Sequence, residues 1–130
     1  MLTVDSSVWI AYFNGCDTPQ TRLLDEALED SAQEIVVLDL VLMEVLRGFR
    51  VQKDFLAARR AFSALPMAVA GGQAVALRAA SIYRDLRALG VTVRSAIDLM
   101  VGAWCVENDC PLLHGDRDFA AIERLRGWGS

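Results

Sequence analysis

The chain contains one histidine, one lysine, three prolines and three cysteines in 130 residues. Its lone histidine, His114, joins Cys16, Cys105 and Cys110, which include no CxxC pair, so these residues cannot make a standard structural zinc site by themselves. An odd number of scattered cysteines also supplies no disulfide framework and suits reduced thiols in a cytoplasmic protein. Long apolar runs are missing too. None reaches the ~18–20 residues needed to cross a bilayer, and the longest is interrupted by Asp39 and Glu44. The first acid comes at Asp5, so the N-terminus lacks the basic and then apolar regions of a secretory signal. Polar low-complexity tracts are absent, and 54% hydrophobic content describes a compact globule. A single domain over residues 1–130 is expected.

Basic charge is in deficit as well, with 13 Lys+Arg against 17 Asp+Glu and a net charge of −4. Setting aside Asp5, Glu44, Asp98 and Asp116 (17 less 4) leaves 13 acids against 13 bases, so the rest of the molecule is neutral. Twelve of the 13 bases are arginine, whose planar fork binds phosphate, although a GC-rich coding sequence gives the same bias.

What is present is an alternation of short apolar strands with amphipathic helices. Leu2–Val4 reads as a buried strand with Asp5 at its carboxyl end, and Ser6 and Ser7 open a helix through about Phe13. Pro19 starts a helix with Leu24, Ala27 and Leu28 on one face. Ile35–Leu38 is a second strand, followed by a helix capped by Asp39 and running to about Arg47 or Gly48. Lys53–Leu65 carries Phe55, Ala58, Phe62 and Leu65 at helical spacing. Met67–Ala70 is a third strand, Gln73–Leu89 a long amphipathic helix, and Ser95 caps a helix apolar nearly all round, hence central. Pro111–His114 is a last strand before a helix with Phe119, Ile122 and Leu125 inward. This order predicts an α/β fold, a short mostly parallel sheet flanked by helices on both faces.

Within that pattern, Glu44 lies in the apolar run IVVLDLVLMEVL and Asp98 in AIDLMVGAWCV. Burying an ionised carboxylate without a partner costs several kcal/mol or more. Asp5 and Asp116 sit at strand ends, where open α/β sheets gather their ligands. Two carboxylates ~4 Å apart repel by about 4 kcal/mol at an effective dielectric near 20. Such a group protonates or holds a cation, and oxygen-only ligands select hard ions such as Mg²⁺ or Mn²⁺. A metal of this kind activates water and neutralises charge on phosphate oxygens, so no histidine base is needed. Taken singly, each acid has a local use. Asp5 could form an Asx turn or helix cap, and Asp98 a capping box with Ser95. Asp116 and Asp118 could complement a helix dipole, and Arg47 could serve Glu44. Taken together, the set points to a shared metal.

Four segments carry a resemblance: VDSSVWIAYF at Val4–Phe13, MEVLRGF at Met43–Phe49, SAIDLMVGA at Ser95–Ala103 and PLLHGDRDFAAI at Pro111–Ile122. In this order they resemble the PIN-domain family, specifically the VapC-type toxins of toxin–antitoxin pairs. The resemblance implies a PIN-like fold and a metal-dependent endoribonuclease that inhibits translation, leaving a 5′-phosphate and a 3′-hydroxyl. It carries the acidic quartet onto Asp5, Glu44, Asp98 and Asp116, with Asp118 as an additional acid at the metal and Ser7 as the supporting hydroxyl. It further implies a homodimer silenced by a cognate VapB-type antitoxin, in a heterotetramer or larger assembly. Arg47 and Arg117 are candidates for phosphate contact, or they balance Glu44 and Asp118.

Other functions remain open at this level. A DNA-directed metal nuclease could use the same quartet, and a non-catalytic module could present the acids to basic peptides. A phosphoacceptor receiver domain also clusters acids at strand ends, but needs a lysine after a late strand, and Lys53 precedes a mid-chain helix. His114 and Trp104 read as structural. Trp9 and Trp128 could stack on bases but are expected to pack against a helix or a dimer partner.

Overall fold

Strands and helices follow one another as the patterning requires. The computed structural model describes residues 1–126. Their order is β1 (Leu2–Val4), α1 (Ser6–Phe13), α2 (Pro19–Glu29), β2 (Ile35–Leu38), α3 (Asp39–Leu46), α4 (Gln52–Ser63), β3 (Met67–Ala68), α5 (Gln73–Ala88), α6 (Ala96–Asn108), β4 (Leu112–Leu113) and α7 (Arg117–Arg126). The strands form one sheet in the order β3-β2-β1-β4, and every pairing is parallel. Its register sets Leu2 against Ile35, and Thr3 against both Val36 and Leu112. All four residues of β2 are buried, as expected of a central parallel strand covered on both faces. Thr3, polar but fully buried, donates its hydroxyl to the Val36 carbonyl at 2.7 Å. That bond removes the cost of an unpaired buried hydroxyl.

This strand order positions the site. The chain steps outward through β1, β2 and β3, then returns to place β4 on the opposite side of β1. The topological switch therefore falls between β1 and β4, and a ligand crevice is expected outside their carboxyl ends. Asp5 and Asp116 follow those two strands. The order also differs from the 2-1-3-4-5 arrangement of receiver-type sheets.

Helix packing holds the crevice together. In α6, Val101 through Cys105 are all buried, which accounts for its lack of a polar stripe. Gly102 permits a close approach: a Cβ there would lie 2.9 Å from Ile122 Cδ1 on α7. Trp9 is 3% exposed and packs edge-on against Phe62 at 4.9 Å between ring centroids, with Phe13 stacked on it at 5.9 Å. Trp9 is thus a core residue unavailable to a base, and Trp104 is buried as well. Trp128 lies outside the described residues.

Three local readings are corrected. Asp39 is the first residue of α3, not its cap; Leu38 occupies the cap position without a side-chain bond. Asp39 Oδ1 instead accepts from Leu40 N at 2.9 Å and from Ala70 N at 2.8 Å, tying the exit of β3 to the start of α3. That side-chain bond takes the Ala70 amide, and β3 spans Met67–Ala68 instead of reaching Ala70. The last strand, expected over Pro111–His114, spans Leu112–Leu113, although the Pro111 carbonyl still accepts from Thr3 N at 3.0 Å. No helix among the described residues is long and apolar enough to cross a membrane.

Candidate functional site

Asp5 is 4% exposed and caps α1. Its backbone N–H donates to the Leu113 carbonyl at 3.0 Å, which fixes it beside the end of β4. Its Oδ2 accepts from Ser7 N at 3.3 Å and from Ser7 Oγ at 2.5 Å. Its Oδ1 is buried without a hydrogen-bond partner. A capping reading explains one oxygen and leaves the other, a buried acceptor, unsatisfied.

Glu44 projects from α3, and its Oε1 accepts from Ser6 Oγ at 3.0 Å. Sequence reasoning singled out Ser7 and missed Ser6. The signal available was its place beside Asp5 at the start of a helix whose inward face must cross to the next strand's helix. Arg47 Nη2 approaches Glu44 Oε2 at 3.9 Å, with side chains 65% and 14% exposed respectively. A long ion pair with one partner largely in solvent contributes little, so Arg47 sits beside Glu44 without neutralising it.

Asp98 is the third residue of α6, and its backbone N–H donates to Ser95 Oγ at 3.2 Å. The expected cap by Ser95 is therefore present. The Asp98 carboxyl is pushed up from 3.8 to about 7, first by burial and then by the charges of Asp5, Glu44, Asp116 and Asp118. These four acids, distant in sequence, share one electrostatic field with Asp98.

Asp116 behaves as the N-cap of α7. Its carbonyl accepts from Ala120 N at 3.1 Å, and its Oδ1 accepts from Asp118 N at 2.7 Å. Its own N–H donates to His114 Nδ1 at 3.2 Å. With Nδ1 accepting, the imidazole proton sits on Nε2, which donates to Glu123 Oε1 at 2.5 Å. His114 is thus a brace between the turn and α7, stacked obliquely on Phe119. Arg117 is exposed at the start of α7 and lines a cavity with Asp118.

The residues fit a hard divalent cation in their chemistry. The donors are oxygen only, one buried oxygen of Asp5 has no partner, and burial, joined by the charges of the four other acids, pushes the Asp98 carboxyl up to about 7. Among the described residues, however, no three of the His, Cys, Asp and Glu side chains are drawn together tightly enough to ligate one ion. Four of these acids nonetheless act on Asp98 through their charge. The cysteines stay out of this chemistry. Cys105 and Cys110 are buried, burial pushes both thiols up, and no disulfide occurs among the described residues.

Comparison with known proteins places these observations. The sequence matches the PIN domain over residues 2–125. Ribonuclease VapC11 of Mycobacterium tuberculosis is 29% identical over 126 residues, covering 96% of this chain and 93% of that protein. The fold is similar to that of VapBC2 from Rickettsia felis bound to a DNA fragment from their promoter, with a TM-score of 0.72, 14% identity and coverage of 93% and 92%. It is also similar to VapC20 of the same Mycobacterium tuberculosis, a Sarcin-Ricin loop cleaving toxin, with a TM-score of 0.66, 16% identity and coverage of 93% and 94%.

Proposed function

The chain belongs to the PIN-domain family, and from that premise we propose that it is a VapC-type toxin, a metal-dependent endoribonuclease that hydrolyses RNA phosphodiester bonds and thereby inhibits translation. The observation that best supports this reading is the buried Asp5 carboxylate, whose Oδ1 has no hydrogen-bond partner, in a field to which Asp5, Glu44, Asp116 and Asp118 all contribute at the half-buried Asp98. The likeness to a VapC ribonuclease over almost the whole chain supports the same reaction class. Residues 1–130 act as one PIN-like nuclease domain. Its partners are the RNA substrate and a cognate VapB-type antitoxin, with the toxin a homodimer inside a heterotetramer or larger assembly.

In this reading Asp5, Glu44, Asp98 and Asp116 hold Mg²⁺ or Mn²⁺, with Asp118 assisting. When bound, such an ion acidifies water and neutralises negative charge on the phosphate undergoing attack. The chain's own contribution is orientation. Ser7 holds one oxygen of Asp5 and leaves the other, buried oxygen for the ion. Ser6 fixes one oxygen of Glu44 and leaves the second facing Arg47. The Asp118 amide holds Oδ1 of Asp116, so Oδ2 is the one available. Ser95 fixes the first turn of α6, and with it the direction of Asp98. Arg47 and Arg117, both exposed, would meet phosphate oxygens.

The test is cleavage of matched RNA and DNA oligonucleotides in Mg²⁺ or Mn²⁺ by the wild type and by Asp98→Asn, which keeps shape and removes charge. The wild type should cut RNA, and the variant should lose at least about 100-fold in rate, a loss of more than ~2.7 kcal/mol of transition-state stabilisation. Growth inhibition should disappear with it. An undiminished rate in the variant would remove Asp98 from the reaction. Cleavage of DNA alone would overturn the ribonuclease assignment.

A further inference from the structure

A cavity of about 610 Å³ opens between the segment 90–94 and α7, lined among others by Thr92, Arg94, Arg117, Asp118 and Arg124. Three arginines therefore line one cavity, against a single acidic residue. Among the described residues none of the three is in an ion pair, whereas Arg22, Arg47, Arg78 and Arg126 each meet a carboxylate. All three are exposed, and an anion entering the cavity would be attracted by each of them. The cavity wall is also braced. Arg87 Nη1 on α5 donates to Thr92 Oγ1 at 2.8 Å, which steadies the segment carrying Arg94.

The cavity adjoins the acids, because Asp118 belongs both to its lining and to the field that raises Asp98. A strand drawn toward five carboxylates is repelled by them. A cationic hold directly beside them supplies the compensating attraction. Arginine forks match phosphate oxygens bidentately, and the volume falls in the range of small-ligand sites, about 300–1,000 Å³, which admits a phosphodiester with its sugar. The apolar part of the lining is limited to small side chains such as Val91 and Ala121, so the cavity offers a peptide no large hydrophobic anchor of the kind that dominates protein interfaces.

We propose that this cavity is a phosphate-binding subsite for the RNA backbone, in which Arg94 and Arg124 act with Arg117 to hold a phosphate neighbouring the one that is cut. The inference rests on the ribonuclease reading, and its test is binding, which is separate from cleavage. A fluorescein-labelled 12-nucleotide single-stranded RNA is titrated in EDTA, at several KCl concentrations, with the wild type, with Arg94→Gln/Arg124→Gln, and with the control Arg59→Gln/Arg60→Gln. The control removes the same charge from exposed positions on α4. The cavity pair should weaken RNA binding at least about tenfold at low salt and flatten the plot of log K against log[KCl] by about 1.4, two phosphate contacts at about 0.7 each for a single strand. The control should leave both unchanged. In Mg²⁺ or Mn²⁺ the cavity pair should raise KM with kcat little altered.

Equal affinity of the cavity pair and the wild type overturns the proposal, as does equal weakening by the control. If the cavity pair binds RNA normally but loses a Glu-rich synthetic peptide, the occupant is an acidic protein segment, and the proposal also fails. If the wild type cuts no RNA while the cavity pair still shows the binding loss, the subsite stands and the hydrolase reading falls.

Discussion

At Asp98, burial and the charges of four other acids act in the same direction, and the consequence is a pH dependence. The carboxyl takes up its proton at about 7 in the fold, against 3.8 ordinarily. Protonation therefore favours the metal-free fold fully below pH ~4, and that advantage is lost as the pH rises through about 7. The whole shift corresponds to about 4 kcal/mol, and solvent around a half-buried group reduces it to on the order of 2 kcal/mol. Thermal unfolding in EDTA should show Asp98→Asn gaining on the wild type as the pH is raised from about 4 to 8, by several degrees at the upper end. Parallel curves for the two proteins would mean that the acid carries no such strain.

Two elements set where the acids stand, and each has a weak point that can be probed. Ser95 caps α6 through the Asp98 amide. Ser95→Ala should cost about 1 kcal/mol, seen as a lower urea midpoint with an unchanged slope, and should loosen the turn that aims Asp98. Gly102 lets Ile122 of α7 lie against α6, and Ile122 is fully buried. Gly102→Leu should overpack that contact and cost about 1–3 kcal/mol. Gly102→Ala should cost far less. The added methyl is tight only against the terminal Cδ1 of Ile122, with Ile122 Cγ2 and Phe119 Cδ1 at ordinary contact distances of 3.8 and 3.9 Å, and alanine regains about 1 kcal/mol of helix propensity. If Leu at this position were as stable as Ala, the α6–α7 approach would not be tight.

For the whole molecule, the four acids proposed as ligands equal in number the net charge of −4, so a divalent ion bound there would offset half of it. A divalent ion that binds only the folded state should stabilise it by about 2.7 kcal/mol at 100 times its dissociation constant. Titrating Mn²⁺ into the wild type should therefore raise the melting temperature by several degrees, and Asp98→Asn should respond much less. Calorimetry across a millimolar range checks this; a flat response in the wild type would count against the acids as ligands. Cooperative, single-step unfolding in the same scans is expected of one domain with one continuous core.

Sequence alone determined the alternation of elements, the inward faces of the helices and the identity of the acids that stand out against apolar runs. Those signals are local: hydrophobic period, caps and strand length act over a few residues, and Ser95, Pro19 and Phe62 could be read from their neighbours. Only the tertiary structure decided that β4 lies beside β1, which sets Leu113, three residues before Asp116, against Asp5 across more than 100 intervening residues. It also decided that Ser6 holds Glu44, that Asp39 ties two elements instead of capping one, and that Arg94 and Arg124 share a cavity with Arg117. The physical reason is range. A carboxylate's partner, its desolvation and the field it feels depend on groups within a few ångströms in space, and chain separation carries no record of that distance until the sheet is paired.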